Sequence, residues 1–182
     1  MSITGVEDYL NYFRQLAVSH KDLRHNVAGE NGDCPPGSVR FTKISVDQVL
    51  KALNNKIGFP CLCVELYEID TKAEIVYDVK EKPRGAFIVV DHPINDSPAA
   101  EEACYIKAER ITREILQQIW KHHYDAGVDR CNTPFKDFDF NKLSIVPVGP
   151  LFTNEHGYRT EFDFSMRVDE TLAQAPAEGT FL

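Results

Sequence analysis

The sequence predicts an α+β fold: a mixed or antiparallel sheet of about four to five strands packed on a long helix, closed by a C-terminal β-hairpin. Three observations carry this. From Tyr158 to Val168 every even position except Thr160 is aromatic or large aliphatic, and every odd position is polar or charged. That period of two marks a half-buried strand with one wet face. Phe59 to Ile69 and Arg84 to Asp91 form two further apolar runs, and between them and the hairpin lies one long amphipathic segment, Ser97 to His123.

Taken in order, Val6, Tyr9, Leu10, Phe13, Leu16 and Ala17 recur at three- and four-residue spacing, which predicts a first helix of about four turns. His20 to Gly37 holds Gly29, Gly32, Pro35, Pro36 and Gly37 among polar residues and reads as a long loop. Val39 to Lys43 fits an edge strand. Ser45 and Gln48 form a capping box ahead of Val46, Val49, Leu50 and Leu53, a short helix stopped by Asn54, Asn55 and Gly58.

The strand from Phe59 begins as a continuous apolar run and ends by alternating, as a central strand emerging toward solvent does. Asp70 to Pro83, with Lys72, Glu74, Asp78, Lys80, Glu81 and Lys82, is too long and charged for a simple hairpin loop and predicts an exposed arm or extended hairpin. Arg84 to Asp91 is the expected mate. Asn95, Asp96, Ser97 and Pro98 supply helix-start chemistry. Ala108, Ile111, Thr112, Ile115, Leu116, Ile119 and Trp120 then form a broad apolar face on the main helix. Asp125 to Asn141 is a second irregular segment whose Phe135, Phe138 and Phe140 can pin it to the body or to a partner. The hairpin spans Leu143 to Val168. Residues 1–168 read as one domain, its sheet covered on one face, and Asp169 to Leu182 as a flexible tail.

The chain has 182 residues, 43% apolar and 26% charged, with a formal charge of -8. Acidity of this size repels phosphate backbones and argues against specific nucleic-acid binding. No run of about 18 apolar residues predicts a membrane span, and the start lacks a secretion-signal pattern. Cys34, Cys61, Cys63, Cys104 and Cys131 are odd in number and lack zinc-ribbon spacing. Cys61 and Cys63 share one side of a strand and read as buried reduced thiols. His122 and His123, at the helix end, suit the negative end of the helix dipole rather than a metal. No metal or cofactor is expected.

Catalytic signals are weak. Asp91 and His92 at a strand end, with Glu65 on the neighbouring strand and His156, make the best acid-base set, since a carboxylate can orient an imidazole as base. Asp91 and His92 point to opposite sides if the strand continues, however, and Asp-His-Pro at a strand end is commonly a turn. Ser38, Ser97 and Ser165 lack a G-x-S-x-G elbow, and no phosphate-binding glycine loop is present.

The order of elements resembles the tail-terminator (tail-completion) proteins of long-tailed phages. The features that carry the resemblance are Gly58-Phe59-Pro60 opening a strand to Glu65, the charged Asp70 to Pro83 arm, Phe87 to Pro93, the Ser97 to His123 helix and the Leu143 to Val168 hairpin. The resemblance covers most of residues 1–168 and rests on element order; the two long loops and the tail after Val168 depart from it. It implies a structural virion-assembly protein and not an enzyme: a homo-hexameric ring capping the tail tube, with the tube protein and a neck or connector protein as partners. The implied location is the virion tail, reached from the host cytoplasm, in a phage or prophage. The alternatives are another neck or tube-capping adaptor of a phage-like contractile machine, or a small hydrolase-type enzyme using Asp91 and His92. Ring closure by rotation needs two different patches per subunit. The candidates are Lys80, Lys82 and Arg84 on the arm, and Glu155, His156, Tyr158 and Arg159 around the hairpin tip.

Overall fold

A computed structural model describes residues 3, 5–31, 37–44, 57–71, 81–125, 135, 138–151 and 154–164. Two α-helices, α1 (Val6–Ser19) and α2 (Pro98–Asp125), lie against a sheet of β1 (Val39–Ile44), β2 (Ile57–Thr71), β3 (Glu81–Asp91), β4 (Ser144–Leu151) and β5 (Glu155–Asp163). The spatial order is β1-β2-β3-β5-β4. β1 runs parallel to β2 and every other pairing is antiparallel, so the sheet is mixed. The α+β class, the edge strand at Val39, the β2–β3 pair and the C-terminal hairpin are as the sequence predicts. The expected helix from Ser45, most of the Asp70 to Pro83 arm, much of the Asp125 to Asn141 segment and the tail from Asp169 lie outside the described residues.

Local chemistry explains where the elements begin. Asn95 Oδ1 accepts the Ser97 amide at 3.1 Å, and Ser97 Oγ accepts the Ala100 amide at 3.2 Å, so Ser97 caps α2 and Pro98 takes the first helical position. In β5 the alternation holds: Thr160 and Phe162 are buried, and Phe164 after them, while Arg159, Glu161 and Asp163 are only half-buried.

Both helices cover one sheet face, α1 over β1 and β2 and α2 over β3 and β5. Between helices and sheet sits an aromatic core. Tyr9 stacks on Phe164 at 5.8 Å, Phe138 on Phe162 at 5.2 Å, and Phe135 meets Tyr12, Phe13, Phe162 and Phe164. Full burial of each such ring contributes about 1.5–3 kcal/mol. Phe135 and Phe138 therefore hold their segment to the body.

Two expectations need correction. The sheet was expected to be covered on one face, yet Cys61, Cys63, Ile88 and Val90 on the other face are buried as well. The continuous apolar run of β2 is the pattern of a strand buried on both sides. Trp120, placed on the apolar face of α2, is 49% exposed and packs on Tyr124 at 4.3 Å. At about 100° per residue it has turned past the sheet-facing line of Ile111, Ile115 and Ile119. His122 and His123 do more than face the helix dipole. His122 Nδ1 bonds the Tyr12 hydroxyl at 2.9 Å and His123 Nδ1 donates to the Phe135 carbonyl at 3.3 Å, tying α2 to α1 and to the aromatic segment.

Candidate functional site

A polar grouping lies where β3 ends and β5 begins, beneath the start of α2. Register sets Asp91 opposite His156, and both point toward the helix. Asp91 is buried and receives Lys107 Nζ at 2.8 Å. His156, also buried, donates from Nε2 to Asn154 Oδ1 at 3.1 Å, which leaves Nδ1 to accept from the Tyr105 hydroxyl at 3.1 Å. Gly149, at a φ of +141° that disfavours other residues, lets the chain pass this pair; a Cβ there would lie 2.8 Å from His156 Nδ1. His92 turns the other way, toward Phe59, and bonds buried Glu155 through Nδ1 at 3.2 Å. Cys104 is nearby, its thiol pushed up by burial and then by the Asp91 charge, which keeps it protonated.

The acid-base set foreseen from sequence is only partly assembled. Asp91 and His156 come together and His92 sits beside them, but Glu65 pairs with Ala86 in the ladder and belongs to another neighbourhood. Each imidazole nitrogen of His156 already has a partner, and Asp91 has a cation. Such an arrangement can clamp the hairpin to α2. It offers no free lone pair on His156 to take a proton from a substrate.

Glu65 instead engages Arg159. The guanidinium donates Nε to Glu65 Oε1 and Nη2 to Oε2, both at 2.7 Å, and Nη1 to Glu161. Arg84 Nη2 reaches Glu161 Oε2 at 2.7 Å. Two guanidinium groups and two carboxylates thus alternate across β2, β3 and β5 on the face away from the helices. The hydrogen bonds to Glu65 hold Arg159 charged, and Arg159 in turn holds the Glu161 carboxyl below the usual carboxylate range.

These positions revise the expected interface set. The turn closes at Leu151 opposite Glu155, so Glu155 and His156 flank it while Tyr158 and Arg159 lie further along β5, a strand flanked on both sides. His156 is buried, and Tyr158 packs edge-on against Tyr105 at 6.1 Å. Arg84, 62% exposed at its side chain, lies between Glu68 of β2 and Asp163 of β5, at the base of the two-stranded stem that β2 and β3 form beyond it. Lys82 pairs with Asp70 through its backbone in that stem, and Lys80 lies outside the described residues.

Sequence reading missed the surfaces that are apolar and exposed. β4, Ser-Ile-Val-Pro-Val-Gly-Pro-Leu, is a sheet edge without a single charge, and Ile145 and Val146 are both over a third exposed. β2 exposes Leu66, before the stem, and Ile69, within it, to a similar degree. The absence of charge in β4 was visible in the sequence; its place at the edge was not.

His20, Asp22 and Glu114 approach closely enough to suggest a metal centre, beside an open cleft of about 460 Å³ lined in part by Leu16, Ser19, Ile115 and Gln118. Their bonding does not fit one. His20 Nδ1 accepts the Asp22 amide at 3.2 Å, which puts the proton on Nε2, aimed at Glu114 at 2.8 Å. Arg110 bridges Asp22 and Glu114, and Lys21 adds a second cation 3.3 Å from Glu114. No helix among the described residues is long and apolar enough to cross a membrane. No family model, curated protein or solved structure matches this chain.

Proposed function

We propose that this chain is a structural assembly protein of the tail-terminator kind, which closes into a ring on the end of a tube and presents a surface to a neck or connector protein. The supporting observation is the uncharged, exposed edge strand Ser144–Leu151. Soluble proteins usually blunt an edge with charge. Here Pro147 and Pro150 remove hydrogen-bond donors instead, which discourages strand addition while leaving apolar side chains available. β2, with Leu66 before the stem and Ile69 within it, supplies the different second patch that a rotationally closed ring requires. An enzymatic reading has less support, because the polar groups of the Asp91 and His156 cluster bond one another.

The double substitution Ile145→Asp and Val146→Asp tests this. Both side chains are substantially exposed, so the fold should survive with its circular dichroism and melting little changed. Assembly at high concentration should be lost. A double variant that assembles as the parent does removes the β4 edge from the account.

A further inference from the structure

The sheet has two edges, and they are finished by different means. β1 is closed by its own chain: the Ser38 carbonyl accepts the Asn26 amide at 3.1 Å, and the Arg40 amide donates to His25 Nδ1 at 3.1 Å. Arg40 Nη1 reaches the Asp22 carbonyl at 3.1 Å, so the segment before β1 is stitched along its edge. The imidazole of His25 stands where a carbonyl of a further strand would stand.

The protonation state of that ring is fixed by geometry. Nδ1 accepts an amide N–H and must keep its lone pair, so the single proton is on Nε2, which donates to Glu30 Oε1 at 2.7 Å. The side chain is fully buried against the Phe41 ring. A second proton on Nδ1 would set two N–H donors head to head at 3.1 Å with no acceptor between them, a buried arrangement that costs more than a lost hydrogen bond.

We infer that His25 is a proton-operated latch on the β1 edge: the neutral imidazole closes it, and a second proton opens it, releasing the Arg40 N–H. Three charged groups lie around the latch among the described residues: Glu30, on the 3-10 turn Val27–Asn31, accepts from the ring; Arg14 of α1 pairs with Glu30; and the Arg40 guanidinium of β1 is held by the Asp22 carbonyl. Arg14 also holds Glu30, donating Nε to the same Oε1 at 2.9 Å. Burial alone raises the Glu30 carboxyl, but the bonds from Arg14 and His25 outweigh it and hold it below the usual carboxylate range. Glu30 is therefore still ionised where imidazoles take up protons, near pH 6.5. The charge at Glu30 stays constant through that window, and the donor clash at Nδ1 is what changes.

Amide hydrogen exchange on the full chain at pH 7.5 and 5.5, corrected for intrinsic rates, tests the latch against the central-strand amide of Val89. Arg40 should lose about tenfold in protection while Val89 holds, the ratio expected when only the open state, with its imidazole in solvent, takes up the second proton. The ring nitrogen shifts of His25 should report the Nε2–H tautomer at the higher pH. His25→Gln places a carbonyl that accepts from Arg40 at either pH, and should abolish the change. The inference is overturned if Arg40 protection stays within about twofold, if it falls in step with Val89, if the ring carries its proton on Nδ1 at the higher pH, or if the glutamine variant keeps the change.

Discussion

Replacing Gly157 with alanine should cost more than any surface substitution in this chain. A Cβ at this position would lie 1.9 Å from the Val89 carbonyl oxygen and 2.9 Å from its carbon, all backbone of the adjacent strand. Ordinary carbon–oxygen contact needs about 3.3 Å, so β5 must retreat from β3 by more than about 1 Å at the sheet centre. Ladder bonds fail beyond about 3.2 Å, and losing two of them at about 1 kcal/mol each, with buried groups left unpaired at about 1–3 kcal/mol, gives roughly 3–5 kcal/mol. Against a total of about 5–15 kcal/mol that is a large fraction of stability, and it lowers the melting temperature by roughly 6–20 °C. Urea denaturation of parent and Gly157→Ala reads the difference directly. A loss under about 1 kcal/mol would mean that Gly157 does not sit against Val89, and would refute the β3–β5 register.

Other consequences are of similar size, smaller or differently signed. Thr160 Oγ1 is buried without a hydrogen-bond partner, so Thr160→Val should stabilise by about 1 kcal/mol in the same assay. Phe135→Ala removes a ring that meets six other aromatic side chains and should cost about 3–5 kcal/mol. Glu161, lowered chiefly by Arg159, and Glu114 and Asp22, where Arg110 outweighs the raising effect of burial, all have folded-state carboxyls below their unfolded values. The stability they contribute is present in full above about pH 4.3 and is lost as pH falls through the folded values, so melting temperature should drop below pH 4 and less steeply in high salt. Deleting residues 72–80 should leave the melting temperature of the body nearly unchanged and abolish assembly, as measured by calorimetry and light scattering.

The architecture was legible wherever a local rule governs it. Alternation from Tyr158 marked β5, the cap at Ser97 marked the start of α2, and the long apolar run from Phe59 marked a central strand. What escaped is what register decides. Nothing near Arg159 in the sequence announces Glu65, 94 residues away, and the period-two rule says that Arg159 faces away from the helices without saying what it meets there. The same holds for Asp91: its nearness to a strand end was readable, but Lys107 as its partner depends on how α2 crosses β3. The burial of Tyr12 beyond the stripe of α1 depends on Phe135, which reaches it from the far end of the chain.

The most direct test of the assembly reading is absolute mass by light scattering across a concentration series, with negative-stain imaging of the heaviest species. The account predicts growth to a closed ring of six subunits with a central hole. A compact monomer or two-fold dimer at every concentration, with no ring even on isolated tail tubes, would contradict it.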